Sequence, residues 1–364
     1  MKAKILDRYI IRQYLKTFFF TAMLFSLIAV VIDFSDRLGA FLENGVTLKQ
    51  AVFTYYLHFI AHINGLLWPL FALISVIFFT SRLAKNSEII SVLNAGIPYL
   101  RIMVPYLIAA GIIFSIHLLS NHFLIPLGSK IRIPFENKYI WKNVDRSKTR
   151  HIHVMLDPQT KLYIMNFRKR DSTAIDMRIE TYDDNGTLTE YMEARRAEWK
   201  GPPNHWILKD YLKHRFDGDK EQIDVYQKDE LDTTISITPE DLLIVKNQQQ
   251  LFTTPELKAY LQKQRARGIG GTRVFETELY RRTSEPVSIF ILTLIGMAVA
   301  SRKTRGGLGI HLAIGISIGA LFIVLSRFTM TFTNSESIGP LLGVWLPNIL
   351  FAFVAAYLVK IAQK

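Results

Sequence analysis

The chain of 364 residues contains no cysteine. That excludes disulfides, cysteine-ligated zinc and thiol nucleophiles, although it says little about compartment. Other chemistry is missing too. There is no G-x-x-x-x-G-K-[ST] phosphate loop, so the chain should not hydrolyse ATP itself. Neither H-E-x-x-H nor G-x-S-x-G occurs. Acid pairs such as Asp183 and Asp184 fall in a predicted turn and read as solvated rather than catalytic. The expectation is a non-enzyme with no cofactor of its own. Charge is itself absent from six stretches: 17–32, 50–81, 102–129, 286–301, 306–326 and 337–359. A helix crosses the hydrocarbon core with about 20 residues. Four of the runs clear that length, and the two shorter ones extend if Lys16, Asp33, Glu285 and Arg302 reach the interface. Six membrane spans are predicted, three before Ile125 and three after Glu285, with a polar insert between them. Almost no ionisable residue lies within the runs, which argues against a proton relay or an intramembrane protease.

Charge placement sets the expected orientation. Lys2, Lys4, Arg8, Arg12, Lys16, Arg82, Lys85, Arg101, Arg302, Lys303, Arg305, Lys360 and Lys364 fall on one side, against Asp7 and Glu88. The opposite short loops hold Asp33, Asp36, Glu43 and Glu336 against Arg37, Lys49 and Arg327. The positive-inside rule then places both termini in the cytoplasm and the insert outside. Of the net charge of +13, the insert contributes 28 basic against 25 acidic residues. The surplus is mainly a topology signal, and nucleic acid is not expected as a partner. No small-residue A-x-A site follows the first apolar run, so span one is expected to be retained.

Within the first half, His58 and His62 share a helix face at i and i+4. A metal pair would need a third ligand that the sequence does not offer, and a polar face inside a bundle is the simpler reading. The stretch Ser81–Pro98 encodes a short cytoplasmic helix that Asn86 or Ser87 can cap, stopped by Gly96 and Pro98. Its one acid, Glu88, either favours the helix N-terminus or marks a helix that docks on a cytoplasmic partner. Both readings stay open on the residues alone.

In the insert, His151–Leu156, Leu162–Arg168, Ile175–Tyr182, Leu188–Trp199, His205–Phe216, Gln222–Gln227 and Asp232–Ile237 read as strands. Turn signals fall at Asp183–Gly186, Gly201–Asn204 and Asp217–Gly218. Strands at short spacing without long helices between them predict an antiparallel sandwich or jelly roll. Thr253 or Thr254 then caps a helix with Pro255 in its first turn, reaching about Gly268, and a second amphipathic helix over Arg273–Thr283 leads into span four. Gly306-Gly307-Leu308-Gly309 follows no strand and reads as a tight turn with close helix packing.

Several motifs occur in a telling order. Leu6-Asp7-Arg8-Tyr9-Ile10 opens the chain, Ser87–Gly96 reads SEIISVLNAG, and Leu162-Tyr163-Ile164 lies in the insert. Glu278-Leu279-Tyr280-Arg281-Arg282 precedes Pro286, Arg305-Gly306-Gly307 follows span four, and Gly343-Val344-Trp345-Leu346-Pro347-Asn348 starts span six. Together they resemble the lipopolysaccharide-export permeases LptF and LptG (the YjgP/YjgQ family) over the whole chain, and the opening and the strands around Asn185–Trp199 look more like LptG.

The resemblance implies six transmembrane helices plus an all-β periplasmic jelly-roll domain inserted between helices 3 and 4. Residues 1–125 would hold helices one to three with a coupling helix at 87–96, and 126–252 the β domain. Residues 253–284 would form connecting helices, and 285–364 helices four to six. It implies a permease that pairs with a second LptF/LptG-type chain on an LptB-type ATPase dimer in the bacterial inner membrane. Such a permease extracts lipopolysaccharide and passes it to LptC- and LptA-type periplasmic proteins. Glu88 matches the family's coupling glutamate, with Ile89 and Leu93 beside it. By analogy, spans one and five form a lateral opening where Phe18, Phe25, Phe322 and Leu325 would touch acyl chains. LptG-like chains of the best-known type carry a Lys at the outer end of span one. The aligned residue here is Asp33, with Arg37 a turn later, so either Arg37 takes the anionic contact or the lipid carries fewer phosphates. Exposing each CH₂ to water costs about 0.8 kcal/mol, so continuous apolar cover suits such a cargo. A lipoprotein-release or peptide-export permease and a non-transport scaffold are the rival readings. The first usually has four spans, and six spans exceed what anchoring needs.

Overall fold

A long apolar stretch in a bilayer has no water for its backbone, so each closes its own hydrogen bonds as helix. The computed structural model describes residues 5–141, 150–202, 204–217, 220–242, 248–266, 272–301, 307–334 and 338–363. Six helices among them are long and apolar enough to cross a membrane. Span one is Ile5–Glu43, span two Leu48–Lys85, span three Tyr99–Ile140 and span four Arg273–Ala300. Span five is Gly307–Asn334 and span six Pro340–Ala362. Pro69, Pro105, Pro286 and Pro347 sit inside spans, as membrane helices tolerate. The basic turn at Arg302-Lys303-Thr304-Arg305-Gly306 lies outside the described residues, as do Lys2, Lys4, Pro203, Gly218, Gly268, Glu336 and Lys364.

Two helices run further than the sequence suggests. Span three continues through residues 126–140, which the sequence assigned to the β domain. The polar connector is helical because its charges pair within it: Arg132 Nη1 donates to Glu136 Oε1 at 2.5 Å, one turn apart. Phe135 beside them joins an aromatic cluster with Phe41, Tyr55 and Tyr56 of spans one and two. The amphipathic segment Arg273–Thr283 is the first part of span four itself, not a separate helix. Single-turn π segments interrupt the ladder at Ala51–Tyr56, Ser120–Leu124 and Glu136–Ile140.

Spans one to four share a core that includes Ile10, Tyr14, Phe18, Phe71, Tyr106 and Ile289. Interhelical hydrogen bonds fix its register. Tyr14 and Thr293 hydroxyls lie 2.8 Å apart, Thr80 Oγ1 donates to Tyr106 at 3.1 Å, and Ser81 Oγ meets His311 Nδ1 at 2.8 Å. Each such bond contributes about 0.6 kcal/mol in a membrane. Span five approaches span two through Gly315 and Gly319, where an added Cβ would collide with Ile77 and Leu70. His58 Nδ1 meets only its own turn, Thr54 O at 2.9 Å, and no cluster of three metal-ligating residues occurs among the described residues.

The insert folds as one six-stranded antiparallel sheet in the order β1 to β6. The strands are β1 Arg150–Met155, β2 Thr160–Arg168, β3 Thr173–Tyr182, β4 Leu188–Gly201, β5 His205–Asp217 and β6 Lys220–Thr234. The expected antiparallel β domain is present, and its strand order is a meander rather than the interleaved order of a two-sheet sandwich. The segment Gln222–Gln227 and the start of Asp232–Ile237, read as two strands, are one, which ends at Thr234 and leaves Ile235–Ile237 beyond it. A register shift between Lys209 and Tyr211 of β5 lets β6 carry its polar middle past without a turn. The Asp183–Gly186 turn forms as predicted, with Asn185 N donating to Asp183 Oδ1 at 3.0 Å and Gly186 at φ 80°. One face of the sheet buries Leu162, Ile164, Phe167, Met177, Trp206 and Leu208, and Ile235 and Ile237 close it. Trp206 Nε1 donates to Ile237 O at 3.0 Å. The chain divides into two compact units. The helical one runs to Ile140 and resumes over Gln249–Thr254 and from Arg273 onward, and the β unit holds Trp141–Gln248 and Pro255–Thr272.

Candidate functional site

The helix after span two spans Glu88–Asn94, entered through Ser87 at φ 63° and left through Gly96 at φ 77°. The expected cap is not made: Asn86 ends span two, and Ser87 supplies no side-chain cap bond. Asn86 Nδ2 instead donates to Glu88 Oε1 at 3.0 Å. The helix is two-sided. Glu88, Ile90, Ser91 and Asn94 are exposed. Ile89 is buried, and Val92 and Leu93 pack half-buried against the core of spans one to four. The sequence grouped Ile89 and Leu93 with Glu88 as docking residues; the structure uses Ile89 to hold the helix on the bundle and leaves Glu88 presented.

The candidate lipid-contacting residues separate in the same way. Phe18 is fully buried, edge-on to Trp68 at 5.3 Å, and cannot face lipid. Phe25 remains partly exposed and stacks on Phe71 at 5.3 Å. Phe322 is buried edge-on to Phe351 at 5.1 Å, with Leu325 half-buried in the same cluster. The exposed stripe of span one is Phe19, Phe20, Met23 and Leu27, and that of span five is Leu321, Val324, Phe328 and Phe332. Both spans are apolar on every side, so composition could not tell the inward face from the outward one.

Asp33 and Arg37 come together. Arg37 Nε donates to Asp33 Oδ1 at 2.7 Å, Tyr55 and Tyr56 hydroxyls donate to Asp33 Oδ2 at 3.0 and 3.3 Å, and the guanidinium lies 5.6 Å from the Tyr55 ring centre. The pair is electrically neutral and locked to span two.

A buried ionic cluster went unread in the sequence. Arg281 Nη1 donates to Glu285 at 2.5 Å, and its Nε and Nη2 donate to Glu278 at 3.1 Å each. Arg282 Nε reaches Glu278 at 3.0 Å, and its other nitrogens donate to Thr254 Oγ1 at 3.1 Å and Gln249 O at 3.2 Å. The π turn of span three delivers Asn121 to Glu285 at 3.4 Å and His122 to Thr254 at 2.9 Å. Asn348 of span six donates to Ser284 O at 2.6 Å. The available signal was spacing: Glu278, Arg281, Arg282 and Glu285 stand at i, i+3, i+4 and i+7, one face of a helix.

Six helices of spanning length, an antiparallel sheet inserted after the third, and a short helix presenting one acid define a multi-pass membrane protein with an inserted β domain. The chain belongs to the lipopolysaccharide export system permease LptF/LptG family, which it matches over residues 8–361. It is 22% identical to the lipopolysaccharide export system permease protein LptG of Haemophilus influenzae over 98% of both chains. It is 20% identical to the LptG protein of Escherichia coli K12 over 97% of both.

Proposed function

We propose that the chain is one permease of a heterodimeric lipopolysaccharide exporter in the bacterial inner membrane, and that it is of the LptG type. The family match over nearly the whole chain carries this reading, and the curated relatives above bear the LptG name. The bias of Lys and Arg to one set of loops supports cytoplasmic termini and a periplasmic β domain. An exposed Glu88 on a helix anchored by Ile89 suits docking on an LptB-type ATPase dimer. Movement of that ATPase would reach the spans as a rigid-body shift. A second LptF/LptG-type permease completes the opening, and LptC- and LptA-type proteins receive the lipid. With Phe18 and Phe322 turned inward, the exposed stripes Phe19–Leu27 and Leu321–Phe332 are the acyl-contacting faces.

The test is mass spectrometry of what co-purifies with a tagged copy in mild detergent. An ATPase subunit, a second six-span homologue and lipopolysaccharide are expected; recovery of the chain alone at native expression would overturn the reading.

A further inference from the structure

The N-terminal end of span one is held to the bundle by one side only. Asp7 accepts from both terminal nitrogens of Arg101 in span three, at 2.9 and 2.7 Å. Ile10, Tyr14 and Phe18 are buried in the core of spans one to four. These residues recur every three or four positions, along one side of a helix.

The opposite side carries Arg8, Arg12 and Lys16, all exposed. Spaced at i, i+4 and i+8, they fall within about 80° of arc and rise by about 12 Å. None of the three has an ion-pair or hydrogen-bond partner among the described residues, and no acid stands between them in the sequence. Tyr9 is exposed on the same side, edge-on to Phe79 of span two at 6.2 Å. The face continues directly into the exposed apolar residues Phe19, Phe20 and Met23. Because Asp7 and Tyr14 fix the rotation of the helix, the row is aimed outward before anything binds.

Orientation in a membrane asks for cations on one side of the bilayer, not for three of them on one helix face. Depth supplies a reason for the alignment. The uncharged run begins at Thr17, so Lys16 stands at the edge of the hydrocarbon. Arg12 and Arg8 lie about 6 and 12 Å further out, and the head-group layer of one leaflet is about 5–8 Å deep. The row crosses that layer, with apolar surface immediately above it.

We propose that Arg8, Arg12 and Lys16 bind the anionic head group of a resident glycerophospholipid, whose acyl chains lie along Phe19, Phe20 and Met23. The leaflet is the cytoplasmic one, which rests on the orientation proposed above. Half of a hydrocarbon core of about 30 Å takes about ten helical residues, so Phe19 to Met23 lie within that leaflet and Leu27 reaches the midplane. The lipid fills the lower end of the stripe. An acidic protein face would suit the three charges, but not the apolar surface that carries the same face into the bilayer.

The experiment uses the full chain in the complex it forms, in phosphatidylcholine nanodiscs with trace diazirine-phosphatidylglycerol or, separately, diazirine-phosphatidylcholine. Peptides covering residues 5–23 should capture the anionic probe in excess over the neutral one. Arg8→Gln, Arg12→Gln or Lys16→Gln should each lower that excess about fivefold, the share of one cation near an anionic surface. The triple variant should erase it, and Arg12→Lys should retain it. Arg12→Gln combined with Gln13→Arg keeps the charge count but turns the cation about 100° round the helix, and should behave as Arg12→Gln alone. Equal capture of the two probes by the parent, an excess that survives the triple variant, or one restored by the relocated arginine would overturn the proposal. Co-purifying subunits are read on the same preparations: their absence from the parent counts against the function proposed above, while the labelling still decides the lipid site.

Discussion

Arg282 Nε donates to Glu278 Oε1 at 3.0 Å from a side chain only 1% exposed. The same guanidinium holds Thr254 and the carbonyl of Gln249, so one buried cation ties span four to the segment by which the chain returns from the β domain. Truncating one partner of a buried pair costs about 3–5 kcal/mol, because the other is left uncompensated. Glu278→Ala strands Arg282, while Arg281 keeps Glu285, and should reach that range. Arg282→Met should cost less, since Glu278 keeps both bonds from Arg281. Thermal unfolding followed by fluorescence-detected gel filtration measures both, and a Glu278→Ala protein melting with the parent would sink the account.

The two sides of the Glu88–Asn94 helix predict opposite phenotypes. Glu88 is exposed, so Glu88→Ala should change stability by less than about 0.5 kcal/mol while reducing recovery of the ATPase. Ile89 is buried, and Ile89→Ala should destabilise the chain by about 2–5 kcal/mol. Melting curves and pull-downs on the same preparations separate docking from anchoring. Equal effects of the two substitutions on both readouts would contradict the division.

Arg37 is engaged by Asp33, which makes its contact with lipid phosphate conditional. Arg37→Ala should cost about 1 kcal/mol as a partly exposed pair is lost. Asp33→Asn should release the guanidinium and raise crosslinking to a phosphorylated lipid A over its dephosphorylated form. If neither substitution changes the ratio of the two crosslinked species, Arg37 has no role in reading phosphate.

On the sheet, Glu198 accepts from Lys200 at 2.9 Å and pairs with Lys209 at 3.3 Å. The Lys200 hydrogen bond, with Lys209 beside it, holds its carboxyl below the usual range. A lowered folded value means that the contribution to stability is present at neutral pH. It is lost as pH falls through the ordinary carboxylate range towards the folded value. The group is mostly solvated, so the effect is small and salt-sensitive. Hydrogen exchange of β4 and β5 between pH 7 and pH 4 should show a decline in protection that Glu198→Gln flattens.

Much of the architecture was legible because it rests on local patterns. Uncharged runs mark the spans, alternation marks the strands, and Asp183–Gly186 marks a turn by its chemistry. The misses have a common physical cause. Arg132 and Glu136 look solvent-facing one at a time, yet satisfy each other inside a helix. The middle of β6 looks like a break because its own bulge, residues 226–230 against 209–211 of β5, is invisible without the pairing. Phe18 and Phe322 sit on spans whose every face is apolar, so inward and outward differ only by which neighbour arrives. The Glu278–Glu285 cluster was visible as spacing but gains meaning only with Thr254, Asn121 and Gln249 around it.

Span six has 23 residues, about 35 Å of helix, whereas spans one, two and three have 39, 38 and 42, about 57–63 Å. The hydrocarbon of a bilayer is about 30 Å thick. The shortest helix therefore sets the depth of immersion, and the three long ones must project as a stem. A host membrane thicker or thinner by a few ångströms would wet or cover another turn of that stem without bending it. The aromatic joint of Phe41, Tyr55, Tyr56 and Phe135 near its tip should hold the same packing in either.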